Sequence, residues 1–287
     1  MREARRRSDI SLDEEVELFP AFVAVDAEGQ VRGRLEGWIY EPEEEDALRA
    51  TFLASIERGL GLGHGDDDLD AGLAVERIRP FIVDDERGER VEVRIGDRVV
   101  AGSKSSQGGR FYIPLRFKLD EGESREGPWV ARAITREADR RQFKATLYVL
   151  GETGRIVISD IDDTIKISEV LDKKKLLRRT FLEPFEMVPD LHQRYRGWLG
   201  EGGHLHFVSS SPWQLFRPLH EAITKAGFPA ASYTLRNFRV DIVDAAELLT
   251  APDNFKLNAI ENVLDRLPNW KVVLVGDSGE RDPEIYG

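Results

Sequence analysis

Three aspartates fall within four positions in the stretch "GRIVISDIDDTIKI", residues 154–167, directly after an apolar run. Like charges so crowded repel one another, so Asp160, Asp162 and Asp163 need partners from elsewhere in the chain. Carboxylate oxygens suit a hard divalent cation such as Mg²⁺, and Asp160, Asp162 and the later Asp277 can converge on one. Such a cation offsets the crowding and holds a substrate phosphate. A carboxylate can then attack phosphorus to form an aspartyl-phosphate, which splits hydrolysis into two easier steps. Ser209 can hydrogen-bond a phosphate oxygen, and Lys256 can neutralise charge on the nucleophile and the transferring group. The second aspartate of the pair would protonate the leaving alkoxide and later deprotonate water, a role typically worth roughly 10²–10⁴-fold.

Groups so scattered along the chain must be gathered by the fold. After Gly151 the apolar strands "RIVIS", "HLHFVS", "ASYTLR" and "KVVLVG" alternate with helical stretches around residues 189–199, 212–226 and 254–266. That rhythm predicts an α/β domain, a parallel sheet covered by helices on both faces. Reactive groups in such sheets collect beyond the carboxyl ends of the strands. The polar clusters lie there: Asp160 to Thr164, Ser209 to Ser211, and Gly276 to Asp282.

Residues 1–150 follow another pattern. Short strand-like segments, among them "PAFVAVD", "VRGRLEGWIY", "RIRPFIVDD", "RVEVRIGDRVVAG" and "QFKATLYVL", are separated by turns and predict a β-rich, sandwich-like domain. Val91, Val93 and Ile95 alternate with charged residues, and the "GD" after Ile95 reads as a hairpin turn. One helical segment, "EEEDALRATFLASIERGL", interrupts the strands and leads into an acidic loop, "GLGHGDDDLD". The chain has 287 residues, 41 basic and 53 acidic, for a formal charge of −12 that argues against nucleic acid as the main partner. There is no cysteine, which excludes disulfides and thiolate zinc sites. The reading is of a soluble, cytoplasmic protein, possible contact with membranes being peripheral.

The ordered set "DIDDT", "FVSSS", "FKLN" and "GDSGERD" resembles the four motifs of the haloacid dehalogenase superfamily. More narrowly, "SDIDDTIK", "VSSSPWQL" and "GDSGERDPEIY" resemble the catalytic domain of the actin-patch-associated phosphatidate phosphatase family, over roughly residues 150–287 and more loosely over a β-rich segment before them. The resemblance implies Asp160 as nucleophile, Asp162 as general acid/base, Ser209 as phosphate ligand and Lys256 as charge neutraliser. It implies Asp277 as a ligand of Mg²⁺ and Asp282 as support for that metal site. The expected activity is a Mg²⁺-dependent phosphomonoesterase acting on phosphatidate or a similar lipid phosphate. A receiver domain is excluded by order, because there the acidic pair precedes the phosphoacceptor. The alternatives are a phosphatase for a soluble phosphomonoester, and a binding or scaffold protein whose β-rich domain is the working part.

Several neighbours have plainer roles. Asp163 reads as a capping residue, Pro212 as the first helical position after "SSS", Trp213 and Gln214 as packing, and His204 and His206 as structural. The segment "KISEVLDKKKLLRRT", residues 166–180, carries six basic and two acidic residues, a local +4. It reads either as a solvated helix face or as a small cap. In the second reading Lys173, Lys174, Lys175, Arg178 and Arg179 meet an anionic lipid surface, and Leu171, Leu176, Leu177 and Phe181 supply apolar contact. The family pattern implies a further helix and strand after Asp282, so the expectation is a chain truncated at its C-terminus, with "KVVLVG" as an exposed edge.

Overall fold

A computed structural model describes residues 10–42, 46–60, 71–125, 127–238 and 254–277. In chain order the first strands are β1 (Glu15–Leu18), β2 (Ala21–Val25) and β3 (Gln30–Glu41). Helices α1 (Asp46–Leu60) and α2 (Ala71–Ile78) follow, then a 3-10 turn, Arg79–Phe81. The strands resume with β4 (Asp84–Asp85), β5 (Arg90–Ile95), β6 (Arg98–Lys104), β7 (Arg110–Lys118), β8 (Pro128–Ala133) and β9 (Lys144–Leu150). The remainder runs β10 (Arg155–Ser159), α3 (Lys173–Phe181), α4 (Leu191–Leu199), β11 (His204–Pro212), α5 (Phe216–Lys225), β12 (Ala231–Arg236), α6 (Phe255–Leu264) and β13 (Lys271–Val275).

The chain forms two compact units. One comprises residues 1–43, 83–154 and 266–269, the other residues 44–82, 155–265 and 270–287. Sequence pattern grouped the helical segment with the strands around it, whereas its contacts group it with the second unit.

In the first unit, hydrogen bonds join nine strands into one sheet, in the order β1-β3-β2-β9-β8-β5-β6, with β4 and β7 also paired to β3. The sheet branches at the twelve-residue β3, which pairs with β1, β2, β4 and β7. Alternation sets the inward face: Phe111, Ile113 and Leu115 of β7 and Val91, Val93 and Ile95 of β5 are buried in a single core. The β5–β6 hairpin turns through Gly96 and Asp97, with Ile95 paired to Arg98 and Gly96 at φ 56°. Glycine adopts that left-handed backbone at no steric cost, which suits it to the turn. The expected strand "RIRPFIVDD" is instead the end of α2, the 3-10 turn and the two residues of β4. Pro80 sits inside that turn, where its missing N–H costs no ladder hydrogen bond. The acidic loop at 61–70 lies outside the described residues.

In the second unit four strands form a parallel sheet ordered β12-β11-β10-β13. Residues Ile156 to Ser159 of β10 are all fully buried, as a central parallel strand requires. Register pairs Ser159 with Phe207 on β11 and with Val275 on β13. Strands β10 and β13 therefore end level, while β11 runs on to Pro212 and carries Ser209 past the end of β10. Helix α4 packs on β10 and α6 on β11. Pro212 does not open a helix. Its backbone stays extended (φ −70°, ψ 151°), ending β11, and α5 begins at Phe216 after a 3-10 turn.

Candidate active site

The end of β10 delivers Asp160 into a buried position, 1% exposed. Its backbone N–H donates to the Val275 carbonyl at 2.9 Å. Ser159 Oγ donates to the Asp160 carbonyl (2.7 Å) and lies 2.7 Å from the hydroxyl of Tyr195, a buried residue of α4. The Asp160 backbone is thus fixed on both sides before its side chain does anything. Lys256, at the start of α6, places Nζ 3.3 Å from Asp160 Oδ2. Both groups are buried, so this pair is poorly screened.

Asp162 faces a ring of donors. Oδ1 accepts from Lys166 Nζ (2.7 Å) and Ser168 Oγ (2.7 Å), while Oδ2 accepts from Ser209 Oγ (3.0 Å) and Ser211 Oγ (2.8 Å). Lys166 Nζ also donates to Ser168 Oγ. Burial by itself would raise the Asp162 pKa. The Lys166 ammonium, with hydrogen bonds from Lys166, Ser168 and Ser211, outweighs that and holds the carboxyl well below the usual carboxylate range.

Asp163 has the left-handed φ of 51° and a different job. Its carboxylate accepts from the backbone N–H groups of Ser168, Glu169 and Val170, each at 2.7 Å. This is the capping role expected of it, and it closes the loop that carries Asp162.

The end of β10, strand β11 and the start of α6 bring Asp160, Asp162, Ser209 and Lys256 together. Asp277 follows β13 by two residues, half-buried, next to the strand end that carries Asp160. Asp282 lies outside the described residues. Asp160 and Asp277 offer the hard oxygen donors that Mg²⁺ takes, so the residues fit such an ion. The Asp162 carboxylate is engaged by Lys166 and three serines. Among the described residues Asp160, Asp162 and Asp277 do not bring three ligand oxygens within 4.8 Å of one another, whereas Glu14, Glu86 and Glu89 of the first unit do.

Lys166 and Ser168 are site residues that sequence reasoning missed, and Ser211, read only as part of the polar cluster after β11, joins them. Lys166 was counted with the basic segment, yet it is 2% exposed. The available signal was its place between Ile165 and Ile167, four residues after Asp162. His204 and His206 are buried against Ser232 (2.7 Å each) and do not join the site, and burial pushes the His204 pKa down to about 3. Gln214 Nε2 donates to the Phe238 carbonyl (3.0 Å), and Trp213 is buried, both as packing residues.

On helix α3 the five cations divide. Lys175 pairs with Glu169 (2.5 Å), Arg178 with Glu183 (2.7 Å), and Arg179 with Glu169 (2.7 Å) and Glu186 (3.0 Å). Leu177 and Phe181 are buried, so they cannot offer the outward apolar contact expected of them, whereas Leu171 is 81% exposed.

Residues 155–287 match the family described as phosphatidate phosphatase APP1, catalytic domain. An uncharacterised protein of Schizosaccharomyces pombe is 33% identical over 151 residues, covering 51% of this chain and 24% of that protein. Phosphatidate phosphatase APP1 of Saccharomyces cerevisiae is 35% identical over 134 residues, covering 45% of this chain and 22% of the yeast enzyme. The matched region is thus less than a quarter of the length of either curated relative. Over residues 155–287 this chain resembles the catalytic domain of the APP1 phosphatidate phosphatases.

Proposed function

We propose that this protein is a Mg²⁺-dependent phosphomonoesterase that works through an aspartyl-phosphate on Asp160, with phosphatidate or a similar lipid phosphate as substrate. The observation that carries the reading is the buried Asp160 with Lys256 at 3.3 Å, two residues before an Asp162 that shares Ser209. The strand order β12-β11-β10-β13, with the aspartates after the central β10, supports a haloacid-dehalogenase-like fold. Lipid phosphate is favoured by the match to a phosphatidate phosphatase catalytic domain.

Asp160 attacks phosphorus as the bond to the leaving alkoxide breaks, and Lys256 offsets the charge on the attacking and transferring groups. Asp162 gives a proton to the alkoxide and takes one from the water that releases phosphate. An incoming phosphate competes with Asp162 for Ser209 and Ser211, and its negative charge favours proton uptake by Asp162. Asp160, Asp162 and Asp277, with Asp282 in support, would hold Mg²⁺, which would supply Lewis-acid stabilisation of the phosphoryl oxygens when bound.

Access to lipid is assigned to the start of α3, in the cytoplasm and peripherally at the membrane. Lys173 and Lys174 form no ion pair among the described residues, and Leu171 stands exposed before them. Three lysines in a first helical turn oppose the helix dipole, and Asp172 compensates in part by accepting from the Lys174 and Lys175 N–H groups (3.0 and 3.2 Å).

The test is phosphate release from phosphatidate in vesicles, p-nitrophenyl phosphate and soluble alkyl phosphates, with Mg²⁺ or with EDTA. Turnover that needs Mg²⁺ and is lost in Asp160→Asn is expected. More than about a hundredth of parental turnover in that variant would sink the nucleophile assignment.

A further inference from the structure

Residues 46–60 and 71–81 lie in sequence between two strands of the β-rich unit and outside the stretch matched to the phosphatase family. By contacts they belong with residues 155–265. Rings of Phe52, Phe81 and Phe181 meet at 5.6, 5.8 and 5.7 Å between centroids, joining α1 and the 3-10 turn to α3. At Gly59 a Cβ would lie 2.8 Å from Leu177 Cδ1, so α1 approaches α3 too closely for any larger residue without movement.

Arg77 of α2 does more than pack. It is 4% exposed, and its Nη1 donates to the carbonyls of Arg179 (3.2 Å) and Thr180 (2.6 Å), in the last turn of α3. Carbonyls at a helix C-terminus lack intrahelical donors, and a cation there also meets the negative end of the dipole. The Arg77 guanidinium lies 3.6 Å over the ring of Phe185, and Lys166 Nζ lies 5.0 Å over the same ring. Backbone bonds fix this stretch to the catalytic loop: Ile167 N–H to Glu186 O and Val188 N–H to Ile165 O, both at 2.9 Å. Lys166 then reaches Asp162 at 2.7 Å. An unbroken series of contacts therefore runs from Arg77 through Phe185 and Lys166 to Asp162. A buried apolar residue at position 77 would fill space more cheaply than a desolvated guanidinium, but it would bond no carbonyl and hold no ring by charge.

We propose that Arg77 is a positioning residue for Asp162, acting through Phe185 and Lys166, so that α2 and the 3-10 turn after it are a working part of the catalytic unit. The proposal rests on the reading of Asp162 as the proton donor and acceptor.

The experiment has two arms, using Arg77→Met and Phe185→Leu in the full chain, with Arg77→Lys as the conservative variant. The first arm needs no activity: amide hydrogen exchange over residues 161–170 and 185–188. Faster exchange there in Arg77→Met and Phe185→Leu, with β10 and β11 still protected, is expected. Unchanged exchange in both variants would overturn the proposal, even if the protein hydrolyses no phosphate at all. The second arm compares p-nitrophenyl phosphate with a poor-leaving alkyl phosphate. A displaced proton donor should slow the alkyl phosphate about tenfold and the nitrophenyl ester less than about twofold, with Arg77→Lys recovering part of the difference. Equal slowing of both substrates in a folded variant would reduce Arg77 to a structural residue and overturn the proposal. Asp162→Asn sets the reference: no leaving-group dependence in that variant would sink the role of Asp162, leaving the exchange arm to decide on Arg77.

Discussion

Lys166 Nζ sits 2.7 Å from Asp162 Oδ1, and its side chain is almost wholly inaccessible to water. Neither charge is well hydrated, so each depends on the other. Lys166→Met removes the cation and strands the carboxylate, and breaking such a pair typically costs about 3–5 kcal/mol. We expect a lower unfolding midpoint in denaturant, and partial recovery in Lys166→Met/Asp162→Asn, which leaves no charge behind. Equal stability of the single and double variants would show that the pair is not coupled.

Asp163 accepts three backbone N–H bonds at a left-handed φ of 51°. Asp163→Ala leaves three donors without their partner and puts a Cβ-bearing residue with no side-chain acceptor in strained backbone, a loss of about 1–3 kcal/mol. Asp163→Asn keeps one acceptor oxygen and tolerates that backbone, so it should lose less. Thermal unfolding of both variants measures the order, and an alanine variant as stable as the parent would contradict the capping role.

His204 is neutral in the fold because burial pushes its pKa down to about 3 from 6.5. The unfolded chain takes up a proton below about pH 6.5 that the folded chain refuses until near pH 3. Stability contributed by this group is therefore complete above about pH 6.5 and falls as the pH drops through that window, at up to about 1.4 kcal/mol per pH unit. His204→Gln should flatten that part of the stability curve, as measured by denaturant midpoints at a series of pH values. An unchanged slope would mean that His204 does not titrate on unfolding.

Lys173 and Lys174 differ from Lys175, Arg178 and Arg179 in having no acidic partner among the described residues. Changing both to Gln together with Leu171→Ser should abolish most binding to anionic vesicles at low salt while leaving p-nitrophenyl phosphate turnover near parental. Sedimentation with vesicles reads the difference. Undiminished binding would return α3 to a plain solvated face.

Much of the catalytic unit is legible in the sequence because its signals are local. The unbroken apolar run of β10, and the polar residues set at the ends of "RIVIS" and "HLHFVS", place Asp160 and Ser209 without any knowledge of packing. Lys166 and Arg77 are not legible in that way. A lysine near three other lysines looks solvated until the fold buries it, and an arginine in a short helix carries no mark of the ring it will cover. The helical period of residues 46–60 likewise announces a helix but not its partner. Pro212 misled for a related reason: "SSSP" has the composition of a helix start, but Ser209 and Ser211 are drawn to Asp162 and keep the strand extended past them.

The two units are interleaved along the chain, since residues 44–82 interrupt one and 266–269 interrupt the other. During synthesis α1 and α2 leave the ribosome about a hundred residues before α3, the helix they pack against. They must wait with Phe52 and Phe81 uncovered while the intervening strands emerge, a long delay at the usual pace of about 5–20 residues per second. Neither unit can therefore finish folding as a simple vectorial block, and the high sequence separation of these contacts favours slow, late closure. A cut near residue 150 would separate α3 from the helices that shield it, leaving Leu177 and Phe181 as a sticky apolar surface on the released C-terminal piece.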